Sequence, residues 1–131
     1  MIDYSELSDY EVSKRVAMAV GGFLEEDFCE THSVIFRRHG RHQYSFFEPC
    51  TNPSDAWPII LENKISLNWA EVEKSWCAHV GGVMTDGCWC WDYDPEHHQD
   101  NVNPLRAAMI VFLMMQDSAN VPANSTGSDL R

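Results

Sequence analysis

Six residues with thiol or imidazole side chains lie within one short stretch of the chain. They are Cys77, His79, Cys88, Cys90, His97 and His98. Such side chains commonly bind zinc, but zinc-binding pairs are usually separated by about two to four residues, and Cys88 and Cys90 are separated by one. The spacing favours reduced cysteines, half buried on a strand, beside a solvated loop rich in histidine. We therefore expect no cofactor, and zinc bound by these six residues is the alternative.

Other arrangements that could support catalysis are incomplete. Asp92, Asp94, Glu96 and Asp100 could hold magnesium, but no phosphate-binding glycine loop or catalytic lysine accompanies them, so a solvated acidic loop is favoured. Cysteine lies close to histidine at residues 29–32 and again at residues 77–79, yet a cysteine nucleophile also needs its base to be oriented by a third group. We assign no catalytic residue, and the sequence favours a protein that is not an enzyme.

A basic segment stands out against the charge of the rest of the chain. It consists of Arg37, Arg38, His39, Arg41 and His42. The whole chain has 9 Lys and Arg against 20 Asp and Glu, a formal net charge of −11. Guanidinium groups at one place could bind phosphate or carboxylate, so this segment is a candidate anion-binding or partner-binding site. The alternative is a turn that only adds solubility.

The basic segment is placed at the end of a predicted hairpin. Residues 33–38 and 43–47 are short and rich in β-branched or aromatic side chains, and Gly40 between them could supply a positive φ. Further strands are predicted at residues 65–69, 76–80 and 88–93. In the last of these, the two tryptophans would share one face and the two cysteines the other. Polar residues 95–101 are expected to form an exposed loop.

Three helices are predicted from their starting residues. Ser8 and Glu11 form a capping box, Val12, Val16 and Val20 continue one apolar face, and a Gly-Gly pair at 21–22 ends the helix. Asparagine followed by proline starts the second helix at 52–53 and the third at 103–104. Proline at 58 should kink the second helix or delay its start. The third is apolar nearly all round, so it should be either the centre of the domain or a contact between subunits.

Composition limits the remaining possibilities. With 131 residues and 44% hydrophobic content, the chain should fold as one domain over residues 1–116, followed by a disordered tail at 117–131 that has no periodic apolar face. The longest apolar run has nine residues, at 107–115, against roughly 20 for a membrane-spanning helix. The acidic surface disfavours nucleic-acid binding. The N-terminus lacks the features of a secretory signal, which predicts a cytoplasmic protein with its five cysteines reduced.

Three separated blocks carry a resemblance to a known family. They are DYSELSDYE at 3–11, PCTNPSDAWPII at 49–60 and NPLRAAMIVFLMM at 103–115. Together they resemble the NinX-like proteins of tailed phages and prophages. The resemblance implies a small α-β-α sandwich encoded among the accessory genes of temperate phages. It supplies no catalytic residue, and residues 23–47 and 66–101 match it poorly.

These observations combine into one expectation. The fold class is α/β in the α+β sense: a small α-β-α sandwich with a short, mostly antiparallel sheet and about three helices. The function is that of a phage or prophage accessory protein in the cytoplasm of the bacterial host, a non-enzymatic binder of a host or phage protein, with DNA mimicry as a special case. Alternatives are binding of a small anion or nucleotide signal, a zinc-binding module, and a homo-oligomer.

Overall fold

The computed structural model describes residues 2–87 and 89–120, and within these ranges the chain folds as an α+β domain. The helices are α1 (Asp9–Val20), α2 (Pro53–Glu62) and α3 (Pro104–Ala119). The strands are β1 (Phe28–Cys29), β2 (Val34–Gly40), β3 (Gln43–Phe46), β4 (Ser66–Ala70), β5 (Ser75–Val80), β6 (Val83–Met84), β7 (Trp91–Tyr93) and β8 (His97–Asn101). They form three small antiparallel sheets, in the orders β1-β2-β3, β4-β5-β8 and β6-β7. None of the helices in these ranges has the length and apolar content needed to span a membrane.

The start of α1 confirms the predicted capping box. The Ser8 hydroxyl accepts from the Glu11 amide at 3.1 Å, and the Ser8 amide donates to the Glu11 carboxylate at 3.0 Å. Val12 and Val16 are fully buried, but Val20 is 42% exposed, so the prediction that it continues the apolar face is wrong. The reason is geometric: residues four apart advance around a helix by about 40° more than a full turn, and two such steps carry Val20 away from the core.

Asparagine side chains cap both other helices, as the sequence predicts. Asn52 accepts from the Ser54 amide at 3.0 Å, and Asn103 accepts from the amides of Leu105 and Arg106 at 2.9 and 3.3 Å. The start of α2 is not delayed by Pro58, which lies within the helix on its exposed side. The carbonyl that Pro58 leaves without a partner belongs to the exposed Ser54, where water can reach it.

Helix α3 is the centre of the domain. Every residue from 107 to 113 is buried, and the helix packs against α1 and α2 as well as against β4, β5 and β8. Its apolar sequence is therefore explained by burial within one chain. The helix continues to Ala119, beyond the predicted domain end at 116, and the rest of the predicted tail, residues 121–131, lies outside the described residues.

The sheet β4-β5-β8 has two different faces. Leu67, Ala78 and Val80 pack into the core with α3, whereas the alternating positions carry polar groups toward the opposite face, with His79 and His98 directly across from each other. Residues 97–101 are thus a half-buried strand, and the prediction of an exposed loop is wrong. A strand of polar residues gives no apolar alternation, and here the pairing with β5 holds it in place.

Candidate functional site

The predicted hairpin forms, with the basic segment at its end. Strand β2 pairs with β3 so that Arg37 lies opposite Ser45 and Arg38 opposite Tyr44, with a register shift between Arg38 and Gly40. The left-handed residue of the turn is His42, with φ of 62°, instead of Gly40, whose φ of 159° is nearly extended. Histidine adopts the left-handed conformation more often than most residues. The sequence nevertheless pointed to Gly40, because glycine adopts it most readily.

Arg37 points back into the domain. Its guanidinium lies 3.4 Å from a carboxylate oxygen of the buried Asp55 and 4.4 Å from the centre of the Phe47 ring. The other oxygen of Asp55 accepts from the amide of Glu48 at 2.9 Å. Arg37 therefore compensates a buried charge and fastens β2 to the start of α2.

Arg38 is held in the same way on the opposite face of the hairpin. It donates to Asp27 at 3.0 Å and to Glu26 at 2.8 Å, and its guanidinium lies 5.6 Å from the centre of the Tyr44 ring. Burial favours protonation of Asp27, but the Leu24 amide and the Arg38 guanidinium outweigh it and hold the pKa of Asp27 below its usual range. The same carboxylates raise the pKa of Arg38.

The basic segment is therefore divided between internal and external roles. His39 bonds through Nε2 to the Ser45 hydroxyl at 2.6 Å, which leaves Arg41 and His42 in the exposed turn. Neither forms an ion pair with the part of the chain that the structure describes. Positive charge for an external ligand is thus concentrated at Arg41, because two of the three arginines are already paired.

An exposed aromatic surface lies next to the basic segment, and sequence reasoning did not single it out. We call Phe36, Tyr44 and Phe46 the hairpin aromatic face. The ring of Phe36 lies 5.6 Å from that of Phe46 and 6.3 Å from that of Tyr44. Tyr44 is 53% exposed and Phe46 is 51% exposed. The alternation of Tyr44 and Phe46 along β3 was the available signal, but alternation alone does not tell whether a face is covered.

Strand β3 also has a free edge within the described residues, where it pairs only with β2. The Phe47 amide donates to Ile35 at 2.8 Å, so 35 and 47 form a hydrogen-bonded pair. Because such pairs alternate along an antiparallel ladder, the peptide groups of Tyr44 and Phe46 point away from β2. A groove of about 230 Å³, lined by Tyr10 and Phe46 among others, runs between α1 and this hairpin.

Among the residues that the structure describes, the predicted metal ligands form no group of three that could hold a metal ion. His79 is buried, its Nδ1 lies 2.7 Å from the Gly81 carbonyl and its Nε2 lies 2.8 Å from the Asn68 amide, so both ring nitrogens are occupied. His97 and His98 are neighbours on β8 and so point to opposite faces of the sheet. No group of three or more possible ligands occurs in the described ranges, and Cys88 lies outside them.

The described cysteines have different environments. Cys77 is disulfide-bonded, which contradicts the expectation that all five are reduced thiols. Burial raises the pKa of Cys50 to about 11, so its thiol stays protonated at neutral pH. Cys29 is half buried and forms no hydrogen bond with His32 among the described residues, and Cys90 is exposed.

Residues 81–87 and 89–96, which we call the arm, cover the polar face of the sheet β4-β5-β8. The Trp91 ring lies 4.9 Å from that of His79 and 5.4 Å from that of His98. Trp89 and Tyr93 are 72% and 73% exposed. The strand predicted at 88–93 is shortened to Trp91–Tyr93, so Trp89 lies in the preceding turn. Of the four carboxylates considered as magnesium ligands, those at 92, 94 and 96 are exposed on the arm, and Asp100 lies on β8.

Comparison with known proteins identifies the family. A family model described as bacteriophage P22 NinX matches residues 3–116, a range that includes the first helix, the hairpin, the arm and most of α3. A search of curated proteins and a search of solved structures each found no match. The chain belongs to the NinX family of bacteriophage proteins.

Proposed function

We propose that this phage accessory protein acts by binding a protein of the host or of the phage, in the bacterial cytoplasm, and that the β2–β3 hairpin is the binding element. The observation that carries the proposal is the coincidence of the hairpin aromatic face with the free edge of β3. Exposed aromatic side chains are among the residues that contribute most to protein interfaces. A free strand edge accepts an extended segment of another protein by backbone hydrogen bonding.

The ion pairs that Arg37 and Arg38 form with buried carboxylates support this proposal because they fix the hairpin before any partner arrives. Arg37 fastens one face to Asp55, and Arg38 fastens the other to Asp27. A binding element that is already rigid loses less conformational entropy when it binds. The same pairing disfavours the alternative of a small-anion or nucleotide site, since it leaves Arg41 as the one arginine of the basic segment not engaged with a described carboxylate.

The partner segment is expected to lie along β3 in an extended conformation. Its backbone would pair with the outward peptide groups of Tyr44 and Phe46, and an apolar side chain would contact their rings. Arg41 and His42, at the end of the hairpin, would meet an acidic or polar residue of the partner. The groove beside Phe46 offers room for one further side chain.

The test is affinity capture from a host lysate with purified wild-type protein and two double variants. Tyr44→Ser with Phe46→Ser alters the hairpin aromatic face. Trp57→Ser with Leu61→Ser is the matched control, because these α2 residues are exposed to nearly the same extent, 52% and 53%. All four positions are about half exposed, so both variants should fold, which thermal unfolding can verify.

The expected result is a protein that is retained by the wild type and by the control and is lost from the hairpin variant. Aromatic residues at the centre of an interface contribute about 2 kcal/mol or more, so affinity should fall by roughly 30-fold or more. Equal retention of the same protein by the hairpin variant would refute the assignment to this surface.

A further inference from the structure

A second exposed face occurs on the arm, which shares no residue with the hairpin. Val83 and Tyr93 are opposite each other in the sheet β6-β7, and both are exposed. Trp89, in the turn between the strands, is also exposed, although its ring lies 6.0 Å from that of His98. Several exposed apolar side chains on one short segment are characteristic of contact surfaces. Since Trp91 packs against His79 and His98 and Trp89 against His98, the arm lies on the side of the sheet β4-β5-β8 away from α3.

The charge of the arm is entirely negative. The sequence has no lysine or arginine between Lys74 and Arg106. Four carboxylates lie in the arm and all are exposed: Asp86, Asp92, Asp94 and Glu96. None of them takes part in the ion pairs found among the described residues. The arm therefore presents aromatic rings beside negative charges that lack an internal counter-charge in the described chain.

We infer that the outer face of the arm binds a lysine- or arginine-rich segment of a partner protein. A Trp or Tyr ring attracts a Lys or Arg side chain that lies over its face, and a neighbouring carboxylate adds a charge-assisted hydrogen bond. The same negative charge repels the phosphates of nucleic acids and the anionic headgroups of membranes. Charge complementarity thus selects a basic polypeptide as the occupant.

Two backbone contacts hold the described parts of the arm together. A Cβ on Gly82, where φ is 78°, would lie 2.7 Å from the backbone nitrogen of Pro95, so the two ends of the arm cross at a point that only glycine allows. The amide of Thr85 donates to Cys90 at 2.9 Å, which closes the turn. These two contacts reduce the ordering that is needed when a partner binds.

Binding of a synthetic peptide of five Arg-Gly repeats to the purified protein, followed by calorimetry, tests the inference. Trp89→Ser with Tyr93→Ser removes the two rings without changing charge, and Asp92→Asn with Asp94→Asn removes two charges. The control is Glu6→Gln with Glu62→Gln, which removes two exposed charges elsewhere. Thermal unfolding shows whether each variant remains folded.

The wild type should bind the peptide, and loss of the two rings should weaken binding by roughly five- to thirty-fold, the effect of two exposed cation–π contacts. The variant at Asp92 and Asp94 should also bind more weakly. The control, and the hairpin variant at Tyr44 and Phe46, should change affinity by less than about twofold at 0.15 M salt, where distant charges are screened.

Two results would overturn the inference. The first is the absence of wild-type binding. The second is a pattern in which the control and the variant at Asp92 and Asp94 weaken peptide binding equally and removal of the two rings has no effect. Binding would then reflect a general attraction of a basic peptide to an acidic protein. Neither result bears on the hairpin, whose variant is tested separately.

Discussion

Arg106 is a polar residue that connects α3 to the chain preceding α1, and its replacement by alanine should destabilise the protein strongly. The guanidinium side chain is 12% exposed. It donates to the carbonyl of Leu7 at 2.6 Å, and more weakly to those of Ser5 and Tyr4 at 3.3 and 3.4 Å. It also forms an ion pair of 2.7 Å with Asp9.

The size of the effect follows from these contacts. A hydrogen bond from a charged donor contributes about 1.5 to 3 kcal/mol, which applies to the short bond to Leu7. The pair with Asp9 adds at most about 1 kcal/mol, because that carboxylate is half exposed. We therefore expect Arg106→Ala to lower the free energy of unfolding by about 2 to 4 kcal/mol, and Tm by roughly 8 to 16 °C for a domain of this size.

Urea unfolding at pH 7, followed by circular dichroism, measures this effect. Arg106→Lys is the control, since lysine keeps the charge and can reach one partner but cannot bind several carbonyls and a carboxylate at once. The decrease in the free energy of unfolding should therefore be about half as large for Arg106→Lys as for Arg106→Ala. A loss below about 1 kcal/mol for Arg106→Ala would refute the reasoning, because water would then replace the guanidinium at these carbonyls.

Three further predictions follow from the core and from the shifted pKa values. Ile110 is fully buried, so Ile110→Ala should lower the free energy of unfolding, measured with urea, by about 2 to 5 kcal/mol. Ile110→Val should lower it by less than about 1.5 kcal/mol. Burial and the hydrogen bond to Asp117 raise the pKa of Tyr4 to about 12. The neutral Tyr4 hydroxyl therefore contributes fully to the free energy of unfolding below its ordinary pKa of about 10, and this contribution is lost as pH rises to 12. Tyr4→Phe should reduce the fall in unfolding free energy over that range, and an unchanged fall would contradict this role. Asp27 has a lowered pKa, so its stabilisation is complete above its ordinary value of about 3.9 and is lost as pH falls further. Arg38→Gln should make the free energy of unfolding depend less steeply on pH in this acid range. An unchanged dependence would contradict the pairing of Arg38 with Asp27.

The helices could be predicted because their signals are local. Asn52, Asn103 and the capping box each act within three residues of the position that they cap. The role of Arg106 could not be predicted, because its partners lie about 100 residues earlier in the chain. Even so, it falls within one of the blocks that carry the family resemblance.

The candidate site was only partly accessible from the sequence, for the same reason. The hairpin was predicted from strand alternation, but Arg37 and Arg38 were grouped with Arg41, since nothing local showed that Asp55 and Asp27 would neutralise them. The strand at residues 97–101 was missed because polar side chains hide a strand that backbone pairing stabilises.

The most direct test of the central claim is amide hydrogen exchange of β3, measured with and without the protein captured from the host. If the partner adds a strand to the free edge, the amide protons of Tyr44 and Phe46 should become strongly protected in the complex, because they point away from β2. The amide of Ser45, which faces β2, should change less. Unchanged exchange at Tyr44 and Phe46 while the partner is bound would contradict the account.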